Sequence, residues 1–175
     1  MNFLIISDDL SGAAGMASML GQGIPVIPFS SIENKSGYER EIMSIDLETR
    51  NSTDVMEKLD LVKKEFPEYN ILFRIDTLLR GSTMQFIEYI AGYHNIALTD
   101  TIPEYGRYTY NNYTVYRESR LDLNQIIMDR VRNKTFIFDS KTYGDLENIA
   151  DHCLSHNLIP VDPGPLISVY LGMVR

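Results

Sequence analysis

The chain has 175 residues, of which 44% are hydrophobic and 23% charged, a composition that builds a packed core and excludes an intrinsically disordered chain. A net charge of −8 excludes the broad basic surface that nucleic acid or an anionic membrane requires, so an anionic ligand must be held by local cations. A lone Cys153 excludes an internal disulfide and a thiolate metal cluster, and the N-terminal apolar run is too short for a signal peptide or membrane span; no metal, nucleic-acid or membrane partner is predicted, and the cytoplasm is.

Phe3–Ile6 is a short continuous apolar run, the pattern of a parallel strand buried on both faces, and it stops at Ser7-Asp8-Asp9. Small residues with Met16, Met19 and Leu20 at helical spacing follow, closed by Gly21 and Gly23. Pro25–Phe29 predicts a second strand, residues 30–40 a polar loop, and Glu41–Asp46 a third strand that ends in Leu47-Glu48-Thr49-Arg50-Asn51. Residues 53–66 place Val55, Met56, Leu59 and Val62 on one helix face. Asn70–Ile75 predicts another strand, Gly81 opens a helix with Met84, Ile87, Ile90 and Ala91 turned inward, and Ile96–Leu98 predicts a strand after it.

Aromatic and polar residues then alternate around Asn111-Asn112, a pair that tolerates the left-handed backbone of a tight hairpin. A helix over Leu121–Val131, a strand over Thr135–Phe138, a helix over Asp145–His156 and a last strand over Leu158–Val161 complete the pattern. Cys153 falls within that last helix as an inert residue. Strands alternating with helices predict an α/β fold over residues 1–175 as one domain: a doubly wound, mainly parallel sheet with helices on both faces and a β-hairpin insertion.

In such a sheet, ligands bind beyond the carboxyl ends of the strands near a topological switch point. Asp8 and Asp9 follow the first strand, Asp46 through Arg50 another, Arg74 through Arg80 a third, and Asp139 through Lys141 a fourth, which predicts one shared cleft. Paired acids beside arginines suit a small, polyhydroxylated anion. A planar guanidinium holds a carboxylate through two parallel hydrogen bonds, and an ionised acid orients hydroxyls as a pure acceptor. Arg50 and Arg80 suit the first role and Asp9 the second. Taken singly, any of these acids is more often a helix cap or turn former than a catalytic group, and either arginine also reads as a structural ion pair.

The wording of these segments carries more. SDDLSGA at 7–13, DLETR at 46–50, FRIDTLLRGS at 73–82, IPEYGR at 102–107 and DSKTYGDLENIA with DPGPL at 139–166 occur in that order over nearly the whole chain. Together they resemble the sugar-acid-binding half of the four-carbon acid sugar kinases. The resemblance implies that Asp9 contacts the sugar acid, that Arg50 binds its carboxylate or hydroxyls, and that Asp76, Thr77 and Arg80 line the same pocket. Asp8 and Arg74 complete the set of substrate-binding candidates, and no residue is assigned to catalysis. Leu47 and Leu78 stand where the family has hydroxyls, Arg74 where it has Lys, Thr77 where it has Ser and Ser82 where it has Asn; the two leucines predict a less polar pocket.

The family's second half binds ATP, and no G-x-x-x-x-G-K phosphate loop occurs in this chain. The expectation is therefore the substrate-binding domain or subunit of an ATP-dependent kinase acting on a threonate- or erythronate-like acid and inactive alone. No cofactor is expected on this chain itself; ATP and Mg²⁺ come with the missing domain, which a separate partner chain can supply. A homo-oligomer is a further possible partner state. Two alternatives stand beside it: a non-catalytic regulatory domain that binds sugar acids, and a phospho-receiver domain with Asp8, Asp9 and Asp46 as its acids and Lys141 as its lysine.

Overall fold

A computed structural model describes residues 1–34, 37 and 40–174. In chain order the elements are β1 (Asn2–Ser7), α1 (Leu10–Leu20), β2 (Val26–Pro28), β3 (Ile42–Asp46), α2 (Val55–Glu65), β4 (Tyr69–Arg74), α3 (Thr83–Ala91), β5 (Asn95–Leu98), β6 (Tyr108–Tyr110), β7 (Tyr113–Tyr116), β8 (Ser119–Asp122), β9 (Thr135–Ile137), α4 (Tyr143–His156), β10 (Leu158–Asp162) and α5 (Pro165–Val174). Seven strands form one sheet in the order β2-β3-β1-β4-β10-β5-β9, every described pairing parallel. The expected α/β fold is the observed one.

Alternation along β1 divides the core in two. Leu4 and Ile6 pack with Val55, Leu59, Phe86 and Ile87 under α2 and α3, whereas Phe3 and Ile5 pack with Met16, Ile167 and Leu171 under α1 and α5. A third cluster places Leu146, Ile149 and Cys153 of α4 against Ala97 and Leu158. Helices therefore cover both faces. The chain leaves β1 toward β2 through α1, returns to β4 on the other side of β1, and leaves β4 toward β5 through α3. The carboxyl ends of β1 and β4 are thus the switch point, where loops part and leave a crevice.

Several expectations change in detail. Met84 is exposed and Thr83 is buried, because Thr83, Phe86, Ile87 and Ile90 form the i, i+3, i+4, i+7 face. The buried Thr83 hydroxyl is satisfied by Arg80 O at 2.9 Å. Met56 and Met19 are exposed too: Met56 follows the buried Val55 by one position, and Met19 lies beyond Ala17, the last buried residue of α1. The helix expected over 121–131 is instead the end of β8 followed by two 3₁₀ turns, Leu123–Ile126 and Asp129–Lys134. Antiparallel pairing of Thr114 with Leu121 and Tyr113 with Asp122 claims the start of that segment, and the Asp122 carboxylate caps the first turn at Asn124 N. The expected hairpin is accordingly a three-stranded arm, β6-β7-β8.

The polar loop over 30–40 begins inside a 3₁₀ helix, Phe29–Asn34, and its expectation for residues 35, 36, 38 and 39 lies outside the described residues. Cys153 is fully buried, and that burial pushes its thiol up to about 12, the state of an inert core residue. Among the described residues no helix is long and apolar enough to cross a membrane.

Candidate functional site at the β1–β4 switch point

The turn after β3 is fastened to the end of β1 by its backbone: Leu47 N donates to Ser7 O, and Thr49 N and Arg50 N donate to Asp8 O at 2.9 and 3.0 Å. That turn delivers Arg50 over Asp8. Its Nε lies 2.6 Å from Asp8 Oδ2 and its Nη2 3.0 Å from Oδ1, a two-point fork between residues distant in sequence. Nη2 also lies 3.0 Å from Asp9 Oδ2 and 3.3 Å from Asp76 Oδ1. One guanidinium therefore joins three acids that follow two neighbouring strands.

Two of the three acids have a second anchor. Asp9 caps α1 by accepting from Gly12 N at 2.8 Å. Asp76 accepts from Leu78 N and Arg80 N and is forked by Arg80 Nε at 2.9 Å and Nη2 at 3.0 Å. Burial alone would raise Asp76, but the Arg80 fork, the two amides and Arg50 outweigh it and hold the carboxyl at about 2. Asp46 moves the other way, raised by burial and by its acidic neighbours Glu48, Asp9 and Asp8 despite the Glu48 amide. The loops that carry these groups include left-handed backbone at Glu48, Leu79 and Gly81. Ser82 Oγ, donating to Thr49 O and Oγ1, ties the start of α3 to the turn that carries Arg50.

The structure thus brings Asp8, Asp9, Arg50, Asp76 and Arg80 together directly. Thr77 is half-buried beside them, and its carbonyl accepts from Arg107 Nη1 at 2.7 Å. Arg74 sits at the end of β4 on the α1 side, with Nε donating to Pro163 O at 3.1 Å. An open depression of about 320 Å³ lies alongside, lined by Asp8, Asp9, Asp46, Glu48, Arg50 and their neighbours, within the size of a small-metabolite site. Asp139 and Lys141 do not join it: they border a separate depression with Tyr108 and Tyr110 under the arm, and Lys141 lies over the Tyr108 ring. Nor does Leu47 make the pocket less polar, since it is fully buried in the α2–α3 core; Leu78 is half exposed. Among the described residues no group of three or more His, Cys, Asp or Glu side chains is disposed to hold a metal ion.

Two buried acids escaped the sequence reading. Asp100, after β5, accepts from Arg107 Nη1 at 2.9 Å and Thr114 Oγ1 at 2.7 Å, while its Oδ1 has no partner among the described residues. Burial, only partly opposed by Arg107 and Thr114, pushes it to about 7. Asp162, the last residue of β10, holds Leu166 N and Ile167 N at the start of α5 and is likewise pushed by burial to about 7. Their position at the carboxyl ends of strands was the available signal.

Solved structures share the fold. A Bordetella bronchiseptica protein described as a domain of unknown function, DUF1537, with bound citrate and as a domain-swapped dimer, is similar at TM-score 0.79 and 11% identity over 99% of this chain and 56% of its own. A second crystal form of it gives 0.74 and 13% over 99% and 57%. A Haemophilus influenzae DUF1537 protein gives 0.72 and 15% over 99% and 57%. At these identities the likeness is one of fold, and this chain spans little more than half the length of each. No curated protein matches the sequence. Residues 3–127, which include every acid and arginine of the site, match the family described as the sugar-binding N-terminal domain. The chain belongs to that family of sugar-binding N-terminal domains, the one to which its motifs point.

Proposed function

We propose that this chain is the substrate-binding half of an ATP-dependent four-carbon acid sugar kinase of the cytoplasm, holding a threonate- or erythronate-type acid at the β1–β4 switch point. The observation that carries this reading is the Arg50 hub, which gathers Asp8, Asp9 and Asp76 at one mouth. Ionised acids held in fixed geometry accept hydrogen bonds from a polyol without reorganising, and neighbouring arginines balance the charge that an acid substrate adds. The citrate in the Bordetella relative, a small hydroxy acid, is in keeping with such a ligand.

Phosphoryl transfer depends on positioning ATP and Mg²⁺ against the acceptor hydroxyl. In this reading those come with a nucleotide-binding domain, on the same or a separate chain, occupying the part of the relatives' length that this chain does not span. A homo-oligomer accompanies the reading, since the Bordetella relative is described as a domain-swapped dimer. The test is an ATP-dependent phosphorylation assay on D-threonate and D-erythronate, with calorimetric titration of the same acids. Binding without turnover by the chain alone, and turnover once a nucleotide-binding domain is added, is expected. Turnover by the chain alone contradicts the division of labour, and binding with no turnover under any such domain leaves a regulatory sugar-acid sensor.

A further inference from the structure

Strands β4 and β10 are neighbours in the middle of the sheet, yet they meet over only two pairs, Phe73 with Val161 and Arg74 with Asp162. Each holds its other neighbour for longer: β4 pairs β1 from Tyr69 to Phe73, and β10 pairs β5 from Leu158 to Val161. The ladder between them stops for a chemical reason. Ile75 N donates to Asp162 O, so Asp162 turns its backbone groups toward β4, and by the two-residue period residue 160 does the same. The next bond toward the amino end would run from the N–H of residue 160 to Ile71 O, and Pro160 has no N–H.

Beyond that point the strands part. Ile71 and Ile159, which the register would set opposite one another, are both half-buried although they lie in interior strands. The opening is a slot of about 340 Å³ at the amino end of the sheet, opposite the switch point. It is lined by Phe73, Tyr89 and Ile90 from the core under α2 and α3, and by Phe3 and Leu72 from the core under α1 and α5, so it enters the plane of the sheet rather than lying on one face. Its walls are largely rings: the edge-to-face pairs Phe66–Tyr69, Tyr89–Tyr93 and Phe3–Tyr170, with centroids 5.5, 5.7 and 6.4 Å apart, all border it. Its charge has one sign. The exposed Lys63 lies over the Tyr93 ring, 3.5 Å from the centroid, with His94 beside them, and among the described residues no Asp or Glu lines the slot in a chain of 24 acids against 16 lysines and arginines.

We propose that this slot is a second binding site, separate from the switch point, and that it takes a small aromatic carboxylate whose ring enters between β4 and β10 while its carboxylate stays at the mouth on Lys63. A flat ring suits a gap between parted strands, and the surrounding tyrosines and phenylalanines offer it edge-to-face contacts. The ammonium of Lys63, already seated on Tyr93, supplies a charge-assisted bond to the carboxylate, and no lining acid opposes the anion. A proline inside a central strand forfeits a ladder bond, and a site between the strands gives that loss a use.

This inference does not rest on the sugar-acid reading. 3-Phenylpropionate, its uncharged amide 3-phenylpropanamide and the ring-free hexanoate are titrated by amide NMR into the full chain and into Lys63→Met and Ile159→Trp, each with a thermal melt. 3-Phenylpropionate is expected to give saturable shifts at residues 63–73, 89–94 and 157–159 and to bind the wild-type chain roughly threefold or more tighter than either of the other two. Lys63→Met, a change at an exposed position, is expected to erase the preference for the acid over the amide and to leave amide binding in place. Ile159→Trp fills the slot and is expected to abolish binding of both; should it not fold, Lys63→Met still decides the test. No saturable shifts at the slot, shifts at residues 8–12 and 76–82 instead, or equal affinity for the amide or for hexanoate overturns the proposal. So does a folded Ile159→Trp that binds like wild type, or a Lys63→Met that keeps the full preference for the acid.

Discussion

Gly81 passes so close to Asp8 that a Cβ on it would overlap the Oδ2 held by Arg50, and would stand 3.0 Å from Arg50 Cδ. Gly81 also has φ 64°, a left-handed conformation that costs a residue with a Cβ about 1–2 kcal/mol. The loop after β4 and the acid after β1 are thus fitted to each other through a missing side chain. Gly81→Ala is expected to lower stability by more than the backbone cost alone and to abolish ligand binding, because relief of the overlap must separate Asp8 from Arg50. Chemical denaturation and calorimetry check this; a variant as stable as wild type shows that the close fit is unimportant.

Arg50 supports a second expectation. Asp8 is 2% exposed, so removing its guanidinium leaves a buried carboxylate without a cation. Arg50→Ala is expected to destabilise the ligand-free chain by about 2–3 kcal/mol, somewhat below a fully buried pair because Arg50 retains 23% exposure. Arg50→Lys is expected to fall between, since one ammonium cannot reproduce the fork. Unchanged denaturation midpoints for both variants would show that Arg50 is not the structural hub described.

Arg107 behaves oppositely toward lysine. The same nitrogen, Nη1, donates to both Thr77 O and Asp100 Oδ2, so an ammonium can replace it. Arg107→Lys is expected to retain most of the stability. Arg107→Met is expected to lose about 1–3 kcal/mol, because it leaves Thr77 O and the fully buried Asp100 Oδ2 without that donor. Equal losses in urea unfolding of the two variants would contradict the single-nitrogen arrangement.

The pH dependence has two signs. Asp100, raised to about 7 from an ordinary 3.8, keeps its proton in the folded state after the unfolded chain has lost its own. Its contribution is complete below about pH 4 and is lost as pH rises through 7. Asp76, lowered to about 2, contributes fully above about pH 4 and loses that contribution as pH falls toward 2. Thermal melts are expected to show a shallower decline between pH 4 and 7 for Asp100→Asn than for wild type, and a shallower acid limb for Asp76→Asn. Parallel curves in either window would remove the corresponding carboxyl from the account.

How far the sequence reached depended on the kind of interaction. The strands were legible because buried parallel strands are continuous apolar runs, and the convergence of Asp8, Asp9, Arg50 and Asp76 at one end of the sheet was legible because their segments each follow a strand. Helix faces were less so: methionine at positions 19, 56 and 84 is hydrophobic by type, but only its angular position relative to Phe86 or Leu59 decides its burial. Residues 121–126 read as a helix because nothing local reveals that Leu121 pairs with Thr114. The α5 helix was not anticipated; it follows Gly164 and is held at its start by Asp162. The partnerships at Arg50 and Arg107 are properties of the folded crevice, and no spacing rule reports which acid an arginine will choose.

The central claim is that a small sugar acid binds among the loops following β1, β3 and β4. Amide NMR shifts followed while D-threonate or D-erythronate is titrated into the isotopically labelled chain test it most directly, because they report binding and place together. Saturable shifts concentrated at residues 8–12, 47–51 and 76–82 are the expected result. No shifts with any four-carbon acid, or shifts confined to the groove at the opposite end of the sheet around Pro67, Tyr93 and His94, would contradict it.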